Sequence, residues 1–130
     1  MADSSALSKL AHQIFDAYGR GDLDGMRAVL AADMVAHITN ASGGTDRVEG
    51  VDGFMARLPD LSGALLATSI TQVAEVDDER VMTMIEIKAS RQGNELHNFA
   101  AFLTRIRAGT VAELWMVEAR SAYSDEFWSA

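Results

Sequence analysis

The sequence predicts an α+β domain, with helices leading and an antiparallel sheet following. Three observations carry that prediction. Near the N-terminus, apolar residues recur at three- and four-residue spacing, the pattern of amphipathic helices. From about residue 65 onward the chain reads as long strand-like runs separated by short turn-like tetrads. The 130 residues are 48% hydrophobic and evenly patterned, without repeat, low-complexity tract or linker, so one domain spanning 1–130 with a buried core is expected.

The elements follow in order. A first helix is predicted from residue 4 or 5 to 18, because Leu7, Leu10, Ala11, Ile14, Phe15 and Tyr18 form one stripe. Gly19 and Gly21 stop it. Asp22 is placed to cap a short second helix whose buried face is Leu23, Met26, Val29 and Leu30. MVAHIT at 34–39 reads as a short strand entered through Asp33 and leaving into the flexible loop 40–44. Residues 51–61 read as a short helix with Phe54, Met55 and Leu58 apolar and Pro59 ending it. Strands are predicted at about 65–76, 80–91, 94–107 and 110–120, with Val-Asp-Asp-Glu, Arg-Gln-Gly-Asn and Arg-Ala-Gly-Thr as their turns. Turns this short imply an antiparallel meander, with the helices on one face.

The strand 94–107 is apolar on both sides. Leu96, Ala100, Phe102 and Ile106 share one face, while Phe99, Ala101 and Leu103 share the other. Two apolar faces call for two covers. One side would meet the helices and a pocket. The other would meet a second subunit, giving a homodimer through the sheet, or else the chain's own C-terminal segment YSDEFWSA.

Composition excludes several functions. The net charge is −8, with 19 acidic against 11 scattered basic residues, which opposes a nucleic-acid partner. No apolar run approaches the length of a membrane span, and no secretory signal opens the sequence, so a cytoplasmic location is expected. With no cysteine, disulfides, thiolate catalysis and cysteine-based zinc sites are excluded. The three histidines lack metal-ligand spacing, so neither a metal nor a cofactor is expected. A neutral or apolar small molecule is the partner this composition accommodates most easily.

Within AHQIFDAYGRGDLDGMRAVLAADMVAHI, the stretch Gly21-Asp22-Leu23-Asp24-Gly25 resembles the opening of the ketosteroid isomerase-like and SnoaL-like branches of the NTF2-like superfamily. By order of elements the resemblance covers nearly the whole chain, but only GDLDG is close to identical. It implies a conical α+β fold, a strongly curved sheet wrapped by helices around one deep pocket. The superfamily includes isomerases, cyclases, epoxide hydrolases, dehydratases and non-catalytic binding modules, so fold alone does not settle the reaction. Ketosteroid isomerases carry a first-helix Tyr, a carboxylate base ending the first strand and a protonated acid on the penultimate strand. Aligned through GDLDG, those positions fall on Ile14, on Ile38, and on Ala101 or Phe102. SnoaL-type cyclases use a His on the penultimate strand and an Asp on the last; aligned through RIRAGTV, these fall on Phe102 and Met116. All are apolar, so the resemblance implies the container without either familiar catalytic set.

Four polar residues remain as candidates for chemistry. Glu118 shares a strand face with Leu114 and Met116, so the resemblance implies a carboxylate at the pocket mouth. Burial there would raise its pKa and suit it to general acid–base work, whereas pairing with Arg120 would make it structural. Tyr18 lies one helical turn after Ile14, so its hydroxyl either enters the cavity or belongs to a core ring. His37 adjoins the isomerase base position and would reach the pocket only through a bulge. Of neighbouring His97 and Asn98 only one can face inward, and the register of Phe102 selects Asn98.

The pocket lining expected from these registers is Ile14, Phe54, Leu58, Met84, Phe102, Leu114 and Met116. Methionine is frequent in this chain, and its thioethers, with Phe54, Phe102 and Trp115, would line an adaptable apolar cavity. Two readings follow. One is an enzyme of SnoaL-like type acting on a hydrophobic small molecule, with Glu118 as acid or base and Tyr18, His37 or Asn98 orienting the substrate. The other is a non-catalytic homodimeric binding or assembly module built on the same cavity.

Overall fold

The computed structural model describes residues 4–58 and 64–129, and within them four helices pack on a six-stranded mixed sheet. Helix α1 is Ser4–Gly19 and α2 is the single turn Leu23–Arg27. Strands β1 (Leu30–Thr39) and β2 (Thr45–Glu49) form a hairpin before α3 (Val51–Arg57). Strands β3 (Leu65–Glu75), β4 (Arg80–Arg91), β5 (Asn94–Arg107) and β6 (Thr110–Glu118) follow, and α4 (Ser121–Ser129) closes the chain. The strand order is β2-β1-β6-β5-β4-β3, so the four long strands make the expected antiparallel meander. The β1–β6 pair is parallel, and joins the N-terminal hairpin to that meander.

Local chemistry explains each junction. At the end of α1, a Cβ on Gly19 would stand 2.4 Å from Thr68 Oγ1, so a larger residue would force the Thr68 side chain or the helix to shift. Gly21 takes φ +72, the left-handed conformation that turns the chain out of the helix. Asp22 then caps α2 by accepting from the Gly25 N–H at 2.9 Å. The β4–β5 and β5–β6 turns each place two residues at positive φ, Gln92-Gly93 and Ala108-Gly109, as tight hairpins with right-handed strand twist require. Register shifts, with extra residues in β1, β3 and β6, bend the sheet into an open curl.

The core lies between the inner face of this curl and the helices. Ala11, Ile14, Phe15 and Ala17 of α1 pack with Phe54 of α3, Phe127 of α4 and inward-facing residues such as Val81, Ile85, Phe102 and Leu114. Strand alternation holds across the sheet. On β5, residues 96, 98, 100, 102, 104 and 106 are buried while Phe99 is 47% exposed.

The structure corrects several expectations. The strand predicted at 34–39 begins at Leu30, because Leu30 already pairs with Val111 ahead of a register shift. Leu23 is 39% exposed, since a one-turn helix buries only Met26. Strand β2 was not expected; its sequence TDRVE is that of a largely exposed edge strand. The last strand ends at Glu118 rather than at 120, and the segment beyond it coils as α4. Helix α4 packs on the inner side rather than covering the sheet's back. The predicted helix 51–61 is realised as Val51–Arg57, and Pro59 lies outside the described residues.

Candidate functional site

Helices α1, α3 and α4 and the inner face of the sheet enclose a cavity of about 250 Å³. That is close to the lower end of small-molecule sites, which run from roughly 300 Å³ upward. Phe15, Phe54, Ile85, Phe102, Leu114 and Met116 form its apolar wall, and the Phe15 and Phe102 rings meet at 4.6 Å. Tyr18 and Glu118 project polar groups into it, while Trp128 and Asp125 border it from α4.

Glu118 reaches the cavity because it ends β6 in phase with Leu114 and Met116. Its backbone N–H donates to Thr39 Oγ1 at 3.3 Å, tying the strand end to β1. Behind it lies Asn98, 1% exposed, whose amide donates to Glu118 Oε2 at 3.4 Å and to the Arg120 carbonyl at 3.3 Å. The Asn98 Oδ1 accepts from the Phe99 N–H at 2.9 Å, so the amide is fixed in one orientation. Among the described residues no cation pairs with Glu118. Desolvation therefore pushes its carboxyl above the usual range; a hydrogen bond with Ser124 opposes this, and the charge of Asp125 adds to it.

Tyr18 responds to the same surroundings. Burial, and secondarily the Glu118 charge, push its phenol up to about 12, so near neutrality it is a neutral donor. A carboxyl and a phenol that both disfavour charge thus face one apolar space. They can donate protons or hydrogen bonds to a ligand oxygen, and Glu118 can also take a proton back.

The mouth carries a second polar group. Arg57, ending α3, donates to Asp46 Oδ2 of β2 at 2.8 Å, and Asn40 donates to Asp46 Oδ1 at 3.0 Å. The Asn40 Oδ1 accepts from the backbone N–H groups of Ser42 and Gly44, so the loop predicted to be flexible is internally bonded. These contacts join α3 to the β1–β2 hairpin across the cavity opening. On the opposite rim, α4 is clipped by Arg91, which donates to the Trp128 carbonyl at 2.9 Å. The Tyr123 hydroxyl donates to the Glu95 carbonyl at 3.0 Å.

Set against the residues expected from sequence, Glu118, Tyr18, Phe54, Leu58, Phe102, Leu114 and Met116 line the cavity. Asn98 faces inward but supports Glu118 rather than bordering the space. Three expectations fail. Ile14 is fully buried in the core, and the neighbouring position Phe15 borders the cavity instead. Met84 is 45% exposed on the outer face, because Ile85 and Ile87 take the inward phase of β4. His37 also points outward: β1 runs in unbroken register from Val35 to Thr39, so no bulge re-aims it. It lies 2.7 Å from Glu113 Oε2 and stacks on Trp115, which is therefore an outer-face residue as well. His97 is outside too, 2.6 Å from Glu86 Oε2. The sequence reading missed Asp46, Arg57, Asp125 and Trp128. Its one available signal was that Phe127 and Trp128 are too apolar for a solvated tail. Among the described residues, no group of three or more potential ligands could hold a metal ion, and no helix is long and apolar enough to cross a membrane.

Comparison with known proteins agrees with this architecture. The SnoaL-like domain profile matches residues 11–114, and the chain belongs to that family. No curated protein gives a significant sequence match. Among solved structures, Bal32a from a soil-derived mobile gene cassette is 18% identical, with a TM-score of 0.81 over 97% of this chain and 98% of its own. An NTF2-like protein of unknown function from Burkholderia pseudomallei K96243 is 17% identical, with a TM-score of 0.77 over 96% and 98%. A candidate SnoaL-like polyketide cyclase from Jannaschia sp. CCS1 is 15% identical, with a TM-score of 0.74 over 98% and 93%. At these identities the likeness establishes the NTF2-like cone and leaves the chemistry to the site.

Proposed function

We propose that this SnoaL-like domain protein binds a small hydrophobic molecule in its cavity and moves a proton on it, with Glu118 as the acid–base group. The observation that carries this reading is a carboxyl directed into an apolar cavity, without an ion-pair partner among the described residues, and tethered from behind by a buried amide. Burial shifts a group so placed toward its protonated form, and that proton can pass to a carbonyl oxygen of the ligand. The resulting carboxylate takes a proton from the adjacent carbon, which leaves the enol and restores the carboxyl. Tyr18 is the second donor to the same oxygen. Isomerisation, ring closure and hydration all begin with such a transfer. The isomerase and cyclase acid–base positions take no part, since Ile38, Phe102 and Met116 occupy them as cavity wall. Family neighbours described as polyketide cyclases and ketosteroid isomerases support a carbonyl-bearing ligand.

The test is to find apolar ketones that raise the melting temperature, then follow deuterium uptake at the carbon next to the carbonyl. The wild type should accelerate uptake, and Glu118→Gln should lose about a hundredfold or more of that acceleration. Ketones that stabilise the protein without exchange would favour the second reading. If no apolar ligand stabilises it, both pocket readings fail.

The second reading is a non-catalytic homodimeric binding module. Its support is the outer face of the sheet, where Phe99 is 47% exposed, Met84 45% and Val117 53%. In register, Met84, Ala101 and Val117 form one row across β4, β5 and β6, and Met82, Leu103 and Trp115 form the next. Apolar rows of this kind suit a second copy of the chain packed face to face. Dimerisation is compatible with either reading of the cavity.

A further inference from the structure

The cavity's charge balance bears on its ligand. Among the described residues its lining holds three carboxyl groups, Asp46, Glu118 and Asp125, and one cation, Arg57. That cation is already engaged: Asp46 accepts from it at 2.8 Å and is held in turn by Asn40. Among the described residues, neither Glu118 nor Asp125 forms an ion pair. An anionic ligand would have to pull Arg57 from Asp46 while facing Asp125 and Glu118, neither of them ion-paired among the described residues.

Aromatic faces point the same way. Phe15, Tyr18, Phe54, Phe102 and Trp128 all border the cavity. Trp128 and Asp125 are three residues apart on α4, so their side chains are neighbours on one helical face. That indole already holds one cation, the Arg91 guanidinium 5.7 Å from its ring centroid, and an indole beside a carboxylate is an arrangement that attracts an organic cation. The −8 charge of the whole chain further raises the local concentration of cations over anions.

We propose that the cavity selects ligands carrying a basic nitrogen on an apolar ring body, with the ammonium seated at the α4 end between Asp125 and Trp128 and beside Glu118. This rests on the pocket reading above and adds the ligand's charge class to it. It also gives Glu118 a state that depends on the ligand. An ammonium at that end favours the carboxylate form of Glu118.

The experiment compares three probes of matched shape by calorimetry, namely 4-phenylbutylamine, 4-phenylbutanol and 4-phenylbutyrate. The amine should bind about tenfold or more tighter than the alcohol, with the carboxylate weakest. Asp125→Asn, at an exposed helix position that should leave folding intact, should shrink the amine-to-alcohol ratio several-fold. Glu118→Gln, close in shape to the wild type, should shrink it as well. Equal binding of amine and alcohol, tighter binding of the carboxylate, or a ratio unchanged in Asp125→Asn would overturn the proposal while leaving the pocket reading standing. Failure of all three probes would remove both.

Discussion

Glu113 and Glu118 stand on the same strand and meet opposite fates. Glu113 faces outward, 2.7 Å from His37 Nε2 and 3.5 Å from the Arg105 guanidinium. The His37 hydrogen bond and the neighbouring positive charges hold its carboxyl below the usual range, against a smaller opposing effect of burial. Glu118 faces inward, meets no cation among the described residues, and is pushed up by burial. Strand alternation decides which face each carboxyl reaches, and the face decides whether charge or neutrality is favoured. The outer glutamate belongs to a surface ion network, while the inner one is shifted toward its neutral form.

The largest test of this contrast is packing. Phe54→Ala and Leu114→Ala on the inner side should each cost about 3–5 kcal/mol in denaturant titrations. Met84→Ala and Val117→Ala on the outer side should cost about 1 kcal/mol or less in dilute solution. Outer-face losses as large as the inner ones would mean that a second copy already covers that face.

Next in size is the support behind Glu118. Asn98→Ala removes a buried amide that serves Glu118, Arg120 and Phe99 at once, and should cost about 2–3 kcal/mol. Phe99→Lys should affect stability less and association more. If the outer rows pair two copies, this variant elutes as a monomer with its circular dichroism unchanged.

The smallest effects are the pH terms, and they have opposite signs. Glu118 binds its proton more tightly in the folded state. Stability should therefore fall as pH rises from the ordinary 4.5 through its raised value, and Glu118→Gln should flatten that fall. Glu113 behaves in reverse. Its contribution is present above 4.5 and disappears as pH drops through its lowered value, and Glu113→Gln should remove that gain, about 1 kcal/mol or less. Thermal denaturation across this range, read for both variants, checks the signs.

Period-two alternation made the inner row of the sheet legible in sequence. Once Phe102 and Leu114 were assigned inward, Asn98, Met116 and Glu118 followed, and the 3.6-residue period brought Tyr18 to the same side. The failures came where a local rule was overridden or absent. His37 needed a bulge, but the β1 register shift falls earlier, between Leu30 and Val35. Met84 stands on the outward phase of its strand, where Ile85 and Ile87 hold the inward phase. Arg57 and Asp46 meet only through the tertiary fold, so no spacing announces them. Helix α4 is short and mostly polar, and what holds it is Phe127 in the core and the Arg91 clip on its last turn.

The most direct measurement of the central claim is a carboxyl-carbon NMR titration that follows Glu113 and Glu118 in one sample. Glu118 should titrate above the ordinary glutamate value and Glu113 below it. Coincident midpoints, or Glu118 titrating first as pH is raised, would contradict it.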